Sequence, residues 1–283
     1  MPLKAENVSF IYSEGTAYEK KALDNVSLEI NDGEFLGIIG HTGSGKSTLI
    51  QLFDGLVKPS SGRILYNGQD IWAEGYSRKE LRFHVGLVFQ YPDHQLFETT
   101  VLKDVCFGPK NKGLSDEEAR EHAVAALKSV RISEDMFEKS PFDLSGGQKR
   151  RAAIAGVLAM EPDILILDEP TAGLDPRGRD EILDTVNELQ DNRGISVVLV
   201  SHSMEDVAKY VDRLIVMNSG KLFCDGTPKE IFAGYRDLEK IGLSAPQISY
   251  LMHELKEKGL DVDENAITVE EAKRSVLRAL GER

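Results

Sequence analysis

The chain has 283 residues, of which 41% are hydrophobic and 29% are charged, a composition typical of a globular protein with a sizeable core. Its 47 acidic and 34 basic residues give a net charge of -13, which argues against duplex nucleic acid as a partner, because such binders present a basic face. The two cysteines, Cys106 and Cys224, lack metal-ligand spacing, and the apolar runs are too short to cross a membrane.

The first ninety residues predict strands and tight turns. The amino terminus lacks the apolar segment of a signal peptide, so none is expected. Residues that favour β structure predict strands at 8–12, 22–30 and 34–39, with a turn at Asn31-Asp32-Gly33 between the last two. Asn67-Gly68 predicts a hairpin between residues 63–66 and 69–71. A glycine-rich loop follows Ile39, and a helix is expected over 47–56.

The middle of the chain alternates predicted helices with apolar strands. Ser115 and Glu118 form a capping-box pattern ahead of apolar residues at helical spacing, and a second helix is expected over about 146–160. Short apolar runs at 164–167, 197–200 and 214–217 are typical of parallel strands buried on both faces. The main domain is therefore predicted to be α/β.

Beyond Gly226 the composition changes to two short amphipathic helices. Ser244 and Gln247 resemble a further capping box, and an apolar stripe follows at Ile248, Leu251, Met252 and Leu255. Thr268 is expected to start a last helix that carries Ala272, Val276 and Leu280 on one side. Such a stripe packs on its own domain somewhat more often than on a partner. Both alternatives stay open at this point.

A phosphate-binding loop is predicted where the first apolar strand ends. The segment Gly40-His41-Thr42-Gly43-Ser44-Gly45-Lys46-Ser47, with Thr48 next in the helix, matches the pattern G-x-x-x-x-G-K-[ST]. Glycines let backbone N–H groups turn toward phosphate oxygens, and the following helix offers its positive end. Lys46 supplies a charge for the β- and γ-phosphates, and the Ser47 hydroxyl is a ligand for Mg²⁺. The loop by itself therefore predicts phosphate binding.

Two acids follow the apolar strand at 164–167. Asp168 is expected to serve the cation directly or through water, and Glu169 to orient and deprotonate the attacking water. The alternative is that these carboxylates merely cap a helix, as acids at strand ends often do. A phosphate loop upstream favours the catalytic interpretation.

A second predicted anion site opens the helix at 146. Leu144-Ser145-Gly146-Gly147-Gln148 places a serine and two glycines at a helix N-terminus, and Gln148 stands 20 residues before Asp168. This segment resembles the signature sequence of the ATP-binding cassette (ABC) family. The resemblance implies two subunits facing head to tail, with each ATP held between one phosphate loop and the other subunit's signature.

Other positions resemble the family's remaining site residues. Gln90, after a strand predicted at 85–89, is similar to the glutamine that senses Mg²⁺ and the attacking water. Asp175 lies in a segment that resembles the loop linking the two sites, and His202 resembles the histidine that contacts the γ-phosphate. Tyr12 resembles the aromatic residue that stacks on adenine. The resemblance thus implies Glu169, His202, Gln90 and Lys46 as catalytic residues, and Ser47, Gln90 and Asp168 as Mg²⁺ ligands.

The segment after Gln90 narrows the resemblance to one class. The sequence at 89–97 and at 104–109 is similar to that of ATPases of energy-coupling factor (ECF) transporters, in particular the A′ subunit. The resemblance implies import of vitamins or transition-metal ions, and pairing with a related A subunit or a second copy. It also implies contact with the transmembrane T component near Asp93, indirect contact with a substrate-binding S component, and a position on the cytoplasmic face of the membrane. The cargo itself would bind the separate S component.

The expected architecture has four parts. A nucleotide-binding domain of the ABC type spans 1–235 and contains an antiparallel β subdomain and a helical subdomain at about 92–160. A C-terminal helical extension at 236–283 would hold two ATPases together.

Three alternatives differ in function. A soluble ABC ATPase usually carries long coiled-coil insertions or two cassettes, and a regulatory module would not need Glu169 and His202. An ordinary ABC importer subunit remains open.

Overall fold

The computed structural model describes residues 2–91 and 95–281, which form two sheets surrounded by helices. The strands are β1 (Leu3–Tyr12), β2 (Lys20–Ile30), β3 (Phe35–Ile39), β4 (Ser61–Tyr66), β5 (Gln69–Asp70), β6 (Val85–Val88), β7 (Ile164–Asp168), β8 (Ser196–Val200), β9 (Arg213–Asn218) and β10 (Lys221–Gly226). The helices are α1 (Lys46–Phe53), α2 (Arg78–His84), α3 (Val101–Lys112), α4 (Asp116–Ser129), α5 (Gly146–Leu158), α6 (Pro176–Arg193), α7 (Met204–Tyr210), α8 (Pro228–Ala233), α9 (Tyr235–Lys240), α10 (Gln247–Glu257) and α11 (Val269–Ala279).

The larger sheet brings the predicted motifs to one edge. Its strand order is β10-β9-β3-β8-β7-β6, and every pair is parallel except the antiparallel pair β9 and β10. In β3, β7 and β8 every residue is buried, as expected of parallel strands that are covered on both faces. Because parallel strands end at the same edge, the segments after Ile39, Asp168 and Val200 meet there.

Alternate side chains of the same strands enter two separate cores. Leu165 and Leu167 of β7 pack with the helices α3–α7, whereas Ile164 and Ile166 pack with α1 and the smaller sheet. That smaller sheet is antiparallel, with the order β2-β1-β4-β5. The α/β class, the antiparallel β part and the helical part that carries the signature segment are therefore confirmed.

The carboxyl-terminal helices α10 and α11 have a small apolar cluster of their own. Met252, Val262, Ala266 and Ala272 are buried there. The segment that leads into these helices belongs to the main core, where Leu243 and Ala245 are buried. Within residues 2–91 and 95–281, no helix combines the length and the apolarity needed to cross a bilayer.

Several predicted boundaries differ from the structure. The turn at 31–33 does separate two strands, but β2 pairs with β1 and β3 pairs with β8 and β9, so it connects two sheets. Helix α1 ends at Phe53 rather than at 56, and β6 ends two residues before Gln90. The capping box expected at Ser244 and Gln247 is wrong, because Pro246 occupies the N-cap position of α10 and has no side chain that can accept a hydrogen bond.

Candidate active site

The loop between β3 and α1 has the geometry of an anion site. Gly45 is the N-cap of α1 with a φ of 106°, in the left-handed region, and a Cβ atom there would lie 2.7 Å from the Ala22 carbonyl oxygen. Only glycine fits this position without strain. The first turn of α1 contains no acidic residue. The positive end of the helix is therefore left for an external anion.

Lys46 lies inside this loop. Its side chain is 5% exposed, and Nζ donates hydrogen bonds to the carbonyl oxygens of Gly40 at 2.6 Å and of His41 at 3.2 Å. Burial lowers the pKa of Lys46, and the nearby charges of Glu169 and Asp168 oppose that effect. A phosphate bound at this place would offer the ammonium group a better partner than two neutral carbonyls.

Asp168, at the end of β7, is a buried carboxyl with a hydroxyl beside it. Burial, followed by repulsion from Glu169, raises its pKa to about 6, while Lys46 and a hydrogen bond from Ser47 act in the opposite direction. Carboxylate and hydroxyl oxygens suit Mg²⁺, which in such sites keeps one or two protein ligands and completes its shell with phosphate and water. Among the described residues, no group of three or more His, Cys, Asp and Glu could hold a metal alone. The donor set fits a cation whose remaining ligands come from outside the chain.

Glu169 is held by two side chains from the segments that follow β6 and β8. Gln90 Nε2 donates to Glu169 Oε2 at 2.6 Å, and His202 Nε2 lies 2.9 Å from Glu169 Oε1. The Glu169 backbone has a φ of 49°, an uncommon value for a residue with a side chain, and its N–H donates to Val200 O at 2.9 Å. The backbone is thus bent at the residue whose carboxylate contacts both partners.

Tyr12 approaches the phosphate-loop helix from the smaller sheet. Its hydroxyl lies 3.1 Å from Thr48 Oγ1, and its ring packs edge-on against Phe10 with centroids 4.8 Å apart. The ring is 41% exposed. An aromatic face next to the first turn of α1 remains accessible to a planar base.

His41 anchors the loop rather than pointing into it. Its ring nitrogens lie 2.9 Å from the Thr42 carbonyl oxygen and 3.1 Å from Asn218 Oδ1. Asn218 ends β9, so this contact joins the phosphate loop to the neighbouring strand. The ring's two contacts are both structural, while the His41 backbone remains part of the loop.

The signature segment faces solvent at the start of α5. Ser145 and Gly146 are exposed. The Ser145 hydroxyl accepts from Gln148 N at 3.4 Å, and Gln148 Oε1 accepts from Ser145 N at 2.8 Å. Asp175 caps α6 by accepting from Gly178 N at 2.7 Å. Two groups of predicted residues are therefore distinct in space: one lies around Lys46 and Glu169, and the other lies on exposed helix starts.

One residue near the site was missed by sequence reasoning, and one predicted contact lies outside the structure. Arg150, two positions after the signature segment, donates to the carbonyl oxygens of Gln90 and Ala172. Arg150 is the middle of three consecutive basic residues, 149–151, so no signal in the sequence distinguished it from its neighbours. Asp93, predicted to contact a membrane partner, lies outside the described residues.

Comparison with known proteins gives consistent matches. The family described as ABC transporter matches residues 23–172. The energy-coupling factor transporter ATP-binding protein EcfA2 of Caldanaerobacter subterraneus is 57% identical over 280 residues, covering 99% of this chain and 98% of that protein. The protein with the same description from Clostridium tetani is 54% identical and covers 98% of this chain and 97% of its own length.

Solved structures extend the match to three dimensions. The structure of cbiO1 from Clostridium perfringens, described as part of the ABC transporter complex cbiONQ, superposes with a TM-score of 0.74 at 45% identity, covering 89% of this chain and 98% of that one. A dimeric ATP-binding cassette in a post-hydrolysis state, bound to ADP and Pi, gives a TM-score of 0.72 at 32% identity, covering 80% and 98%.

Proposed function

We propose that this chain, which belongs to the ABC transporter family, hydrolyses ATP at the edge of its parallel sheet to drive an importer. Within that family it belongs to the energy-coupling factor ATP-binding proteins. The observation that carries this proposal is the Glu169 carboxylate, held between Gln90 and His202 and adjacent to the buried Asp168. The cargo class would be vitamins or transition-metal ions, bound by another subunit.

Glu169 is the proposed general base. Its carboxylate is 21% exposed, so a water molecule can reach it, and both oxygens are oriented by hydrogen-bonding partners. A base oriented in this way takes a proton from water as the water attacks the γ-phosphate. Gln90 and His202 are then the residues that set the direction of the carboxylate.

Lys46 and the start of α1 would hold the phosphates. The amides of the loop and the ammonium group stabilise negative charge as it develops on the transferred phosphoryl group. Ser47 and Asp168 would hold Mg²⁺, with Gln90 nearby. Mg²⁺ bound there supplies positive charge that neutralises the β- and γ-phosphate oxygens. Tyr12 would stack on the adenine.

The exposed signature segment supports a partner in the reaction. Ser145 and Gly146 open α5 toward solvent, with N–H groups and a positive helix end, and the hydrogen bonds between Ser145 and Gln148 lie within this first turn. A second ATPase, either a related subunit or another copy, would bring its nucleotide to this point. The dimeric solved cassette bound to ADP and Pi is consistent with such pairing.

A groove beside the segment that follows Gln90 is the proposed contact with the membrane component. Phe97 and Phe107 pack edge-on with centroids 4.9 Å apart, although they are 58% and 45% exposed. The buried carboxylate of Asp104 accepts hydrogen bonds from the N–H groups of Phe97 and Glu98 at 2.9 and 2.7 Å, which fixes the backbone that carries Phe97. Two exposed aromatic rings, one before α3 and one on it, suit a helix of a transmembrane partner. The chain would then lie on the cytoplasmic face of the membrane.

Substitution Glu169→Gln in the assembled complex tests the proposed base. Turnover should fall by about 100-fold or more, because the amide cannot accept the proton, whereas ATP binding should persist. ATPase rate and nucleotide affinity are the two measurements. Glu117→Gln, which removes a carboxylate exposed on α4, is the matched control and should leave the rate unchanged. Undiminished turnover in Glu169→Gln would exclude Glu169 as the base.

A further inference from the structure

Arg150 is a buried cation inside the helix that carries the signature segment. It lies in the second turn of α5, and its side chain is only 6% exposed. Removing a guanidinium group from water is unfavourable unless its N–H groups find acceptors. Where those N–H groups point is therefore informative.

The guanidinium group joins two loops that are remote in the chain. Nη2 donates to the Gln90 carbonyl oxygen at 3.0 Å, and Nη1 donates to the Ala172 carbonyl oxygen at 2.8 Å. Because the donors form a rigid planar fork, the two carbonyls and α5 hold a defined mutual position. A lysine, with a single ammonium group on a flexible stem, would not reproduce this arrangement.

Both acceptor residues also contact Glu169. The Gln90 side chain donates to Glu169 Oε2 at 2.6 Å, and the Ala172 N–H donates to the Glu169 carbonyl oxygen at 3.2 Å. Arg150 is thus one residue away from Glu169 along two routes, one to its carboxylate and one to its backbone. The second route reaches a residue whose φ is 49°.

We propose that Arg150 is a positioning residue that transmits the position of α5 to Glu169 through Gln90 and Ala172. This inference rests on the proposed function, in which a partner's nucleotide meets the start of α5. A shift of that helix moves Arg150, and Arg150 moves the two segments that orient the carboxylate. Hydrolysis is thereby tied to engagement of the signature segment.

The test compares Arg150→Lys with Arg151→Lys in the assembled complex. Arg151, the adjacent residue, donates to Glu181 Oε2 on α6 at 3.2 Å, so its replacement alters a helix contact away from both loops. Arg150→Lys should lower kcat by about 10- to 100-fold with KM for ATP nearly unchanged, because a misplaced carboxylate slows the chemical step. Arg151→Lys should keep both parameters near those of the wild type.

A double-mutant cycle separates positioning from simple loss of structure. If Arg150 acts through Gln90, Arg150→Lys combined with Gln90→Ala should lose little more activity than the more damaging single change. Multiplicative losses, an unchanged kcat, or a loss that only follows the folded fraction would overturn the inference. Should Arg150→Lys prove unfolded, Arg150→Gln, which leaves no buried charge, carries the same expectation.

The two proposals fail in distinguishable ways. Retained turnover in Glu169→Gln would remove the proposed base, whatever Arg150 does. Abolished turnover in Glu169→Gln together with wild-type kinetics in Arg150→Lys would remove only the positioning role.

Discussion

Single carboxyl groups in this protein behave according to their depth in the fold. Asp54, at the end of α1, is 6% exposed, and burial raises its pKa to about 7, although Arg82 lies 3.8 Å away and opposes the shift. The helix end is also unfavourable for a negative charge, because the carbonyl groups of the last turn point there. Asp54 therefore holds its proton to higher pH in the folded chain than in the unfolded one.

The raised pKa of Asp54 predicts how the free energy of unfolding depends on pH. Below about 4 the carboxyl is protonated in both states. Between about 4 and 7 only the unfolded chain ionises it, so the free energy of unfolding falls across this range and levels off above 7. Asp54→Asn should therefore stabilise the protein above pH 7, by on the order of 2–4 kcal/mol, and have little effect near pH 4. Urea unfolding of both proteins at about pH 4.5 and about pH 8.5 measures the difference in their free energies of unfolding.

The exposed Asp191 provides the control for this comparison. Asp191→Asn should change the free energy of unfolding by less than about 0.5 kcal/mol at either pH. An Asp54→Asn effect of equal size at both pH values would show that lost packing, rather than ionisation, is its cause.

Residue patterns identified the chemical groups of the site better than they identified the contacts between them. Lys46, Asp168, Glu169, Gln90 and His202 were predicted, and the structure brings them together because β3, β6, β7 and β8 end at one edge. Their assigned roles remain proposals. The contacts of Arg150 are with backbone carbonyl oxygens, and every residue type has a carbonyl, so no pattern of side chains could reveal them.

Helices show how a local signal succeeds or fails according to its neighbours. The capping box predicted at Ser115 is present, and a second forms at Ser145. Helix α2 was missed, although Ser77 accepts from Glu80 N and the same serine-to-glutamate spacing stood in the sequence. At 244–247 the spacing is right, but Pro246 restricts the preceding residue to extended backbone and takes the N-cap position itself.

The capping boxes at Ser115 and Ser145 allow a matched comparison between helix stability and catalysis. Ser115→Ala and Ser145→Ala each remove the same kind of cap, so each should lower the free energy of unfolding by about 1 kcal/mol. Ser145→Ala should in addition slow ATP hydrolysis in the assembled complex by about 10-fold or more, because its hydroxyl would contact the partner's nucleotide. Urea unfolding and ATPase rates of both variants provide the measurements.

Ser115, on α4, serves as the reference for pure stability loss. Its alanine variant should keep wild-type turnover per assembled complex. Equal rates in the two variants would argue that Ser145 only caps its helix and takes no part in the paired site.

At the scale of the whole molecule, the residues that the structure describes form two large cores, one on each face of the parallel sheet, and a third, small core between α10 and α11. The apolar stripes predicted on these last helices divide in the structure. Met252 and Ala272 are buried in the small core, whereas Leu251 and Leu280 are 47% and 63% exposed. The helical spacing of apolar residues could not predict which of them are buried and which are exposed, because it indicates only that a face is apolar and not which surface covers it.

Two exposed apolar residues support the proposed role of the C-terminal extension in joining two ATPases: Val269, which starts α11 and is 65% exposed, and Leu280, which follows its last residue. Val269→Lys combined with Leu280→Lys should weaken association with the second ATPase by about 10-fold or more, because apolar area would no longer be removed from water on pairing. The fold should persist, since both side chains already lie largely in solvent. Sedimentation or co-purification with the partner subunit measures association, and the thermal midpoint reports the fold.

Phe223→Lys, at a similarly exposed site on β10 (43%), is the control and should associate normally. Unchanged association in the double variant would assign the pairing surface to the nucleotide-binding part alone.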